Sequence, residues 1–467
     1  MESLSLPSEE QLRQRWVGTD VANIPKPAAV LDRAVIRRHC AQMKHTVQTL
    51  GVGFRAHVKT HKTLQIAEMQ MDNGDPEPKF IASTLLEIET LSPLLKSLTS
   101  AKVPVNILYG IPLVPSHVGR LATLAADIGE GSISVMIDHP DQVPYLKEFH
   151  QTAGFAARVF LKIDTGYHRA GLPPVSLNKN GLLEKLAHAE AEGWAHLLGL
   201  YSHSSLSYSA QSTAEAMDHL LAEIHGCKEA LNRWLSLLPR DRDLIISVGA
   251  TPQISSSHSL ARDIGSDGPM GKEAEKLRAL LRNPGSDNKD ARVKIELHAG
   301  NYPILDMQQV STNARDGTGR FEDEIAMTVV AEVCSVYNDG ERENAEALID
   351  AGTLALGREP CANYPGWGVL SSWRVEAAST SSRMMVDRIS QEHGVVAWEA
   401  DRKRKVPLSV GQVVKVFPNH ACVAAAFFGW YFVVDSDQDQ DGSRVVDIWV
   451  RGRGSSVSDP FLMTRFQ

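Results

Sequence analysis

Cysteine is scarce in this chain, and long apolar runs are absent. The 467 residues include 5 cysteines, an odd number scattered along the sequence. A disulfide-stapled secreted domain is therefore not expected, and the predicted location is the reducing cytoplasm. No run of about 18 consecutive apolar residues occurs, so we expect no helix that spans a membrane.

An excess of positive charge and an apolar N-terminal segment are missing too. The 48 Lys and Arg residues are outnumbered by 56 Asp and Glu residues, which gives a net charge of −8. Because nucleic acids are bound by basic surfaces, we expect no nucleic-acid partner. The opening residues, MESLSLPSEEQLRQRW, are polar and acidic and are not predicted to be a secretory signal. The remaining composition, 43% hydrophobic and 22% charged, is typical of a globular enzyme.

Short apolar runs alternate with longer helix-like stretches between about residues 28 and 310. Most of these runs have Val, Ile and Leu at consecutive positions, which is typical of strands buried on both faces in a parallel sheet. There are eight: GFRAHV (53–58), KFIAST (79–84), VNILYG (105–110), ISVMID (133–138), RVFLKID (158–164), HLLGLYSH (196–203), LIISVG (244–249) and VKIELHAG (293–300). Eight β–α units predict an α/β fold with a closed, TIM-type (β/α)8 barrel. A doubly wound open sheet is the alternative, because periodicity alone does not separate the two.

Two further segments depart from this rhythm. Residues 253–291 are polar and rich in Ser, Asp, Gly and Lys, so we predict a surface insertion with one short helix near 271–282. After about residue 320, short β-type runs separated by turn residues predict a C-terminal antiparallel β domain. The predicted organisation is a tail (1–27) packing on the β domain, a barrel (28–315) and the β domain with its metal site (316–467).

Polar side chains follow the predicted barrel strands at the end where (β/α)8 enzymes carry their active sites. After strands seven and eight, VGATP and HAGNY place small residues where backbone N–H groups can surround a phosphate. Lys59 ends an apolar strand, and its expected partial desolvation favours the neutral amine that a Schiff base needs. A phosphate cradle and a Schiff-base lysine at one rim predict pyridoxal phosphate (pyridoxal 5'-phosphate) as the cofactor.

Further along the chain, VFPNHACVAAAF places His420 and Cys422 two residues apart. In an extended segment, side chains at i and i+2 point to the same face, so one face would carry an imidazole and a thiol. These two groups suit zinc, Zn2+. The alternative is a buried cysteine beside a turn histidine, because such pairs also arise by chance.

Six motifs occur in one order from about residue 25 onward. RAHVKTHKT, IDTGYHRAGL, GLYSHSS, SVGATP, ELHAGNY and FPNHACV together resemble the eukaryotic D-serine dehydratases. These belong to the alanine-racemase-like (fold type III) enzymes, which use pyridoxal phosphate. The related D-threonine aldolases share most of the framework. Residues 253–291 and the N-terminal tail lie outside the resemblance.

The resemblance implies roles for single residues at the barrel mouth. Lys59 would carry the cofactor and, once freed by the substrate, would take the substrate's α-proton. Arg169 would lie near the phenolic oxygen of the cofactor and His203 beside its pyridine ring, and Tyr208 is a further candidate contact. The partner of the pyridine nitrogen stays open, since racemases place an arginine where this chain has His298. Phosphate contacts would come from Gly249, Thr251, Gly300 and Asn301.

The resemblance also implies a metal and a reaction. His420 and Cys422 would bind zinc beside the cofactor, whereas the aldolases usually carry an acidic residue in place of the cysteine. The implied activity is elimination of water from D-serine to give pyruvate and ammonia, with zinc assisting loss of the hydroxyl group. A retro-aldol lyase acting on D-threonine is the nearest alternative, followed by a racemase and a non-catalytic carrier of pyridoxal phosphate. Related enzymes pair head to tail, so a homodimer is expected.

Overall fold

The computed structural model describes residues 7–71, 76–262, 271–285, 292–317, 319–373 and 382–453. By their internal contacts the residues form two compact units, which we call the sheet unit and the barrel unit. Among the described residues, the sheet unit comprises those up to 41 and those of 301–313 and 317–451; the barrel unit comprises those of 42–300, 314–316 and 452–453. No helix within the described ranges is long and apolar enough to cross a membrane.

The described N-terminal segment belongs to the sheet unit. It runs from helix α1 (Glu9–Trp16) to strand β1 (Ala28–Asp32), and Leu12 packs in one apolar cluster with Phe432. Strand β1 pairs with residues 327–330 and 432–434 rather than with the barrel. The barrel boundary predicted at residue 28 is therefore wrong. AAVLD has the apolar pattern of a barrel strand, but its hydrogen-bond partners lie in the sheet unit.

Eight parallel strands close into a barrel, which confirms the predicted fold class and excludes the open sheet. Each strand pairs with the next one along the chain, and the last pairs back with the first, with Ala56 opposite Ala299. All eight strands lie within or overlap the apolar runs: β2 Gly53–His57, β3 Lys79–Ala82, β4 Asn106–Pro112, β5 Ile133–Ile137, β6 Ala157–Lys162, β7 Ala195–Tyr201, β8 Leu244–Val248 and β9 Val293–Ala299.

Helices connect the barrel strands, as the alternation of β and α segments predicts. Helix α2 Arg33–Leu50 leads from β1 of the sheet unit to the first barrel strand. The helices between barrel strands are α3 Leu64–Gln70, α4 Leu85–Ser100, α5 Val118–Ile128, α6 Val143–Ala153, α7 Leu182–Ala191, α8 Thr213–Arg233, α9 Thr251–Arg262 and α10 Lys272–Arg282. The last of these matches the short helix predicted near 271–282. Residues 263–270 and 286–291 of the predicted insertion lie outside the described residues.

Helix α9 corrects the prediction that residues 253–262 belong to a surface insertion. All of its residues except Arg262 are buried, in spite of a run of serines. The serine hydroxyls donate to carbonyls of their own helix, Ser256 to Gln253 (2.6 Å) and Ser259 to Ser256 (2.7 Å). A hydroxyl that is hydrogen-bonded in this way can be buried at little cost.

Charged side chains inside the barrel join the strand that leads to Lys59 to its neighbours. Arg55 on β2 forms an ion pair with Glu296 on β9 at 2.7 Å, and the two side chains are 1% and 2% exposed. The same guanidinium donates to the side-chain carbonyl of Asn106 at 2.6 Å. Because each buried charge is paired and hydrogen-bonded, the group closes the barrel seam without an uncompensated charge.

In the part of the chain that the structure describes, the sheet unit is built on nine strands in the order β11-β14-β13-β12-β15-β10-β1-β16-β17. Every pairing is antiparallel except that of β1 with β16, which confirms the predicted antiparallel β domain. The strands are β10 Met327–Tyr337, β11 Glu346–Ile349, β12 Gly368–Leu370, β13 Met384–Ile389, β14 Gly394–Trp398, β15 Val413–Pro418, β16 Trp430–Val434 and β17 Asp447–Val450. Short helices accompany them: α11 Met307–Ser311, α12 Phe321–Glu324, α13 Thr353–Leu356 and α14 Ala421–Ala426.

Candidate active site

Lys59 stands two residues beyond strand β2, in a turn whose backbone is held by its neighbours. The amide of Val58 donates to the carbonyl of Ile81 at 3.0 Å, and the amide of Lys59 donates to Nδ1 of His57 at 3.2 Å. The other ring nitrogen of His57 is bonded to the hydroxyl of Ser83 at 3.2 Å. The fixed turn presents the half-buried lysine at the carboxyl end of the barrel.

The imidazoles of His57, His203 and His298 lie together at this end of the barrel. Nδ1 of His203 donates to the carbonyl of Gly249 at 2.7 Å, and Nδ1 of His298 is bonded to the hydroxyl of Ser247 at 3.1 Å. The rings of His203 and His298 have centroids 5.6 Å apart. Tyr201 stacks on His298 with ring centroids 4.4 Å apart. The rings are therefore held in place by hydrogen bonds and stacking.

Burial lowers the pKa of each of these imidazoles well below its usual value of 6.5. Nearby positive charges act in the same direction, and the charge of Lys59 lowers the pKa of all three rings. The imidazoles are therefore neutral near neutral pH.

Acidification is expected to destabilise the fold through these three histidines. Unfolded, each imidazole has its ordinary pKa near 6.5, whereas the lowered pKa in the folded protein keeps it neutral. Their contribution to stability is complete above that pH and is lost as the pH falls below it. Between roughly pH 7.5 and 5.5 the loss is on the order of 1 kcal/mol for each imidazole. Urea unfolding at both pH values measures it.

The variant His298→Gln isolates the contribution of one ring. Its unfolding free energy should fall by on the order of 1 kcal/mol less than that of the unaltered protein over the same pH interval, because one imidazole fewer takes up a proton on unfolding. Carboxylates and other groups titrate equally in both proteins and cancel in this comparison. An identical pH dependence in the two proteins would contradict the lowered pKa of His298.

Two glycines stand where the last two barrel strands end, and each is closely packed against another backbone segment. Gly249 has a φ of +136°, and a Cβ there would lie 2.6 Å from the carbonyl oxygen of His298. A Cβ at Gly300 would lie 3.0 Å from Cβ of His57. Helix α9 begins at Thr251, two residues after the first of these glycines, and a helix N-terminus favours negative charge. Gly249 and Gly300 thus follow two adjacent strands, Thr251 begins a helix, and these surroundings fit a phosphate.

A buried ring nitrogen of His298 favours a ligand that has a polar group besides the phosphate. Among the described residues, Nε2 of His298 is buried without a hydrogen-bond partner. Such atoms in protein interiors are normally satisfied by a ligand or an ordered water. We call Gly249 and Gly300 the glycine cradle. The half-buried Lys59, the glycine cradle and this nitrogen together fit pyridoxal phosphate, which has an aldehyde, a phosphate and a ring nitrogen.

Arg169 lies in an exposed loop after strand β6. Asp164 organises this loop, because its carboxylate accepts from the backbone amide of His168 at 3.0 Å and from Nδ1 of the same residue at 2.8 Å. The guanidinium of Arg169 lies over the ring of Tyr167, 5.2 Å from its centroid. Its positive charge helps to lower the pKa of His203. The predicted arginine therefore acts electrostatically on the histidine group while its side chain stays accessible.

The two remaining residues of the predicted cofactor site are placed differently. Tyr208 lies half-buried in the short turn Ser205–Ser209 that follows strand β7. Asn301 follows Gly300 in the chain but belongs to the sheet unit, and its side-chain amide donates to Asp306 at 2.6 Å. A phosphate contact at this position would therefore come from the backbone of Asn301.

Glu223 is a supporting residue that sequence reasoning missed. It is buried on helix α8 and accepts from the amide of Ser204 at 2.7 Å and from the side chain of Gln253 at 3.0 Å. Ser204 follows His203, so this carboxylate joins the β7 loop to helix α9. One signal in the sequence could have identified it, since it is a lone acidic residue one turn from the buried Cys227 on an apolar helix face.

The His420 and Cys422 pair is formed by a helix start rather than by a strand. Strand β15 ends at Pro418, His420 precedes the first residue of helix α14, and Cys422 lies in the first turn of that helix. The prediction that an extended segment places both side chains on one face is therefore wrong. The chain turns before Cys422, and the two side chains meet across that turn.

The imidazole of His420 and the thiol of Cys422 are in direct contact through a hydrogen bond. Burial works to lower the pKa of His420, but its hydrogen bond to Cys422 and the charges of Cys422, Asp306 and Glu359 outweigh burial and raise the pKa to about 9. Within the described residues, no group of three or more His, Cys, Asp or Glu is arranged to hold a metal ion. The donor set is thus one nitrogen and one sulfur, which fits zinc with its other positions left to water or substrate.

Two protein-family models match the chain. Residues 31–260 match the alanine racemase N-terminal domain, and residues 326–434 match a serine dehydratase domain. A barrel that matches the first and a sheet that matches the second define the class of alanine-racemase-like enzymes.

Curated relatives are similar along almost the whole chain. The chain is 33% identical over 451 residues to a D-serine dehydratase from Schizosaccharomyces pombe, covering 96% of both proteins. It is 30% identical over 462 residues to a D-serine dehydratase from Saccharomyces cerevisiae, covering 93% of this chain and 97% of the relative. The chain belongs to the D-serine dehydratase family and, as a member of it, is a lyase.

Solved structures share the fold at lower identity. A D-threo-3-hydroxyaspartate dehydratase from Delftia sp. HT23 matches with a TM-score of 0.70 at 23% identity, covering 93% of this chain and 99% of that one. A cysteine-to-alanine mutant of a D-threo-3-hydroxyaspartate dehydratase, in the metal-free form, matches with a TM-score of 0.69. A D-threonine aldolase from Filomicrobium marinum matches with a TM-score of 0.66 at 19% identity, covering 93% and 97%.

Proposed function

We propose that this protein eliminates water from D-serine to give pyruvate and ammonia, with pyridoxal phosphate and zinc as cofactors. The observation that carries the proposal is the contact between His420 and Cys422, in a chain whose barrel presents Lys59 beside a glycine cradle. The relatives named D-serine dehydratase support the choice of substrate. The metal-free D-threo-3-hydroxyaspartate dehydratase is a mutant in which one cysteine is replaced by alanine, which supports a cysteine as metal ligand here.

The residues of the barrel unit would hold pyridoxal phosphate. Lys59 would carry it, Arg169, His203 and Tyr208 would contact its ring, and the phosphate would be bound by Gly249, Thr251, Gly300 and Asn301. When bound, pyridoxal phosphate withdraws electrons from the α-carbon of an amino acid. Lys59, once displaced by the substrate, would act as the base that takes the α-proton of D-serine.

The metal pair would act on the leaving group. Hydroxide leaves poorly from carbon, and zinc held by His420 and Cys422 would supply a Lewis acid for the β-hydroxyl. Loss of the α-proton and the β-hydroxyl as one water molecule leaves aminoacrylate, which reacts with a second water to give pyruvate and ammonia. A thiolate ligand selects zinc over the harder metal ions that carboxylates prefer.

Turnover of both candidate substrates tests the proposal. The purified protein, supplied with pyridoxal phosphate and zinc, should release pyruvate and ammonia in equal amounts from D-serine and should not act on L-serine. The fold is shared with a D-threonine aldolase, so D-threonine is assayed for glycine and an aldehyde in parallel. Glycine with aldehyde as the main products would replace the proposal by a retro-aldol lyase. The homodimer and the cytoplasmic location stay predictions.

A further inference from the structure

Asp306 is a fully buried aspartate of the sheet unit to which the proposed function gives no role. One of its oxygens, Oδ2, accepts from the side-chain amide of Asn301 at 2.6 Å and from the backbone amide of Ala421 at 2.8 Å. The other, Oδ1, accepts from the amide of Gln309 at 2.9 Å. Three donors thus compensate one buried carboxylate, which would otherwise be costly to bury.

The bond to Ala421 is the one that matters for chemistry, because Ala421 is the residue between His420 and Cys422. It fixes the backbone between the residue that carries the imidazole and the residue that carries the thiol. A second bond ties the same two segments, since the amide of Gln308 donates to the carbonyl of Asn419 at 3.0 Å. The turn that carries the metal pair is therefore docked on the segment that carries Asp306.

Packing holds Asp306 in place independently of these hydrogen bonds. Leu305, directly before it, has a φ of +56°, a conformation that costs a leucine about 1–2 kcal/mol. The residue keeps this conformation because it is buried in one apolar cluster with Met307 and Phe417. Strain maintained by packing is typical of positions where a side chain must be aimed.

We propose that Asp306 is a positioning residue for the metal pair: its carboxylate holds Ala421 so that His420 and Cys422 offer nitrogen and sulfur to one metal ion. The inference rests on the zinc site of the proposed function. The same carboxylate also accepts a hydrogen bond from Asn301, the residue that follows Gly300. Residues that orient metal ligands in this way change metal affinity about 10–100-fold when they are replaced.

Asp306 both caps helix α11 and holds Ala421, and the variant Asp306→Ser separates these two roles. A serine hydroxyl can still accept from the amide of Gln309 at the start of α11, but it has no second oxygen for Ala421. We expect its zinc affinity, measured by competition with a chromogenic chelator, to fall about 10–100-fold. In the cobalt-loaded protein, the absorption band of the thiolate–cobalt bond should weaken or shift. A change confined to fold stability would leave this band unchanged.

A matched control is available in the same unit. Asp20 also caps a short helix, with a side-chain oxygen that accepts from the amide of Ala22 at 2.7 Å. Asp20→Ser loses a carboxylate of the same kind without touching the metal pair. It should keep the zinc affinity and the cobalt spectrum of the unaltered protein.

If Asp306→Ser does not fold, Ala421→Pro removes the same hydrogen bond from the donor side. Proline suits the first position of a helix, and His420 already has the extended backbone (φ −136°, ψ 104°) that a residue before proline adopts. This variant should also bind zinc at least about 10-fold more weakly.

The possible results separate the two proposals. Unchanged zinc affinity and cobalt spectrum in folded Asp306→Ser or Ala421→Pro would overturn the positioning role and leave the zinc site standing. Absence of zinc binding in the unaltered protein would overturn the zinc site and, with it, the role of Asp306.

Discussion

Replacing Lys59 with alanine is expected to lower the rate of pyruvate formation from D-serine by at least about 10³-fold, because one substitution removes both the attachment point of the cofactor and the base for the α-proton. The neighbouring imidazoles cannot take over, since a ring nitrogen does not form the covalent bond to an aldehyde that a primary amine forms. Reduction of the cofactor-loaded protein with borohydride, followed by mass analysis of its peptides, should place the cofactor on the peptide that contains Lys59.

Lys294 provides the matched control for this variant. It belongs to a barrel strand as well, but near the amino-terminal end of β9, where its side chain is 71% exposed and paired with Asp243 at 2.8 Å. An exposed ion pair contributes at most about 1 kcal/mol to stability, so Lys294→Ala should fold, bind the cofactor and turn over D-serine normally. Retention of activity or of covalently bound cofactor in Lys59→Ala would refute the assignment of Lys59.

Replacing Cys422 with serine is expected to remove zinc and to slow elimination by about 10³-fold while the pyridoxal phosphate stays bound. A serine hydroxyl is not ionised near neutral pH and is a poor ligand for zinc, whereas a thiolate is a strong one. The proposed cofactor residues other than Asn301 lie in the barrel unit and are unchanged in this variant. Metal analysis measures the bound zinc, the visible spectrum measures the bound pyridoxal phosphate, and the rate of pyruvate release measures elimination.

Cys334→Ser is the control for the cysteine substitution. This exposed cysteine lies on β10 of the same unit and donates from Sγ to the carbonyl of Glu332 at 3.7 Å. The control should keep its zinc and its activity. Wild-type zinc content in Cys422→Ser would rule out the cysteine as a ligand, and full activity without zinc would rule out the proposed role of the metal.

The barrel strands could be predicted because both of their faces are buried, so that their residues are apolar at consecutive positions. ISVMID predicts a strand at 133–138, and the structure has Ile133–Ile137 with all five residues buried. Helix α10 could be predicted for a related reason. Its apolar residues recur at helical spacing, and Leu277, Leu280 and Leu281 are the ones that are buried.

Composition misleads where polar groups are satisfied locally. The serines of 251–262 look like surface residues in the sequence, but their hydroxyls bond to carbonyls of the same helix, and His258 bonds to Thr46 at 2.7 Å. Spacing misleads where the backbone changes direction. His420 and Cys422 meet because a helix begins between them, and an i, i+2 argument assumes a strand that has ended two residues earlier.

The sequence by itself determined the types of the elements and the residue types at the strand ends, including Lys59 and the His-x-Cys pair. Only the tertiary structure decided that strand β1 joins the sheet unit and that Asp306 lies against Ala421, 115 residues further along the chain. The physical reason is that burial and local hydrogen bonding leave a periodic trace in neighbouring residues. A hydrogen bond between distant segments leaves no such trace, because it forms only when the closed fold brings donor and acceptor together.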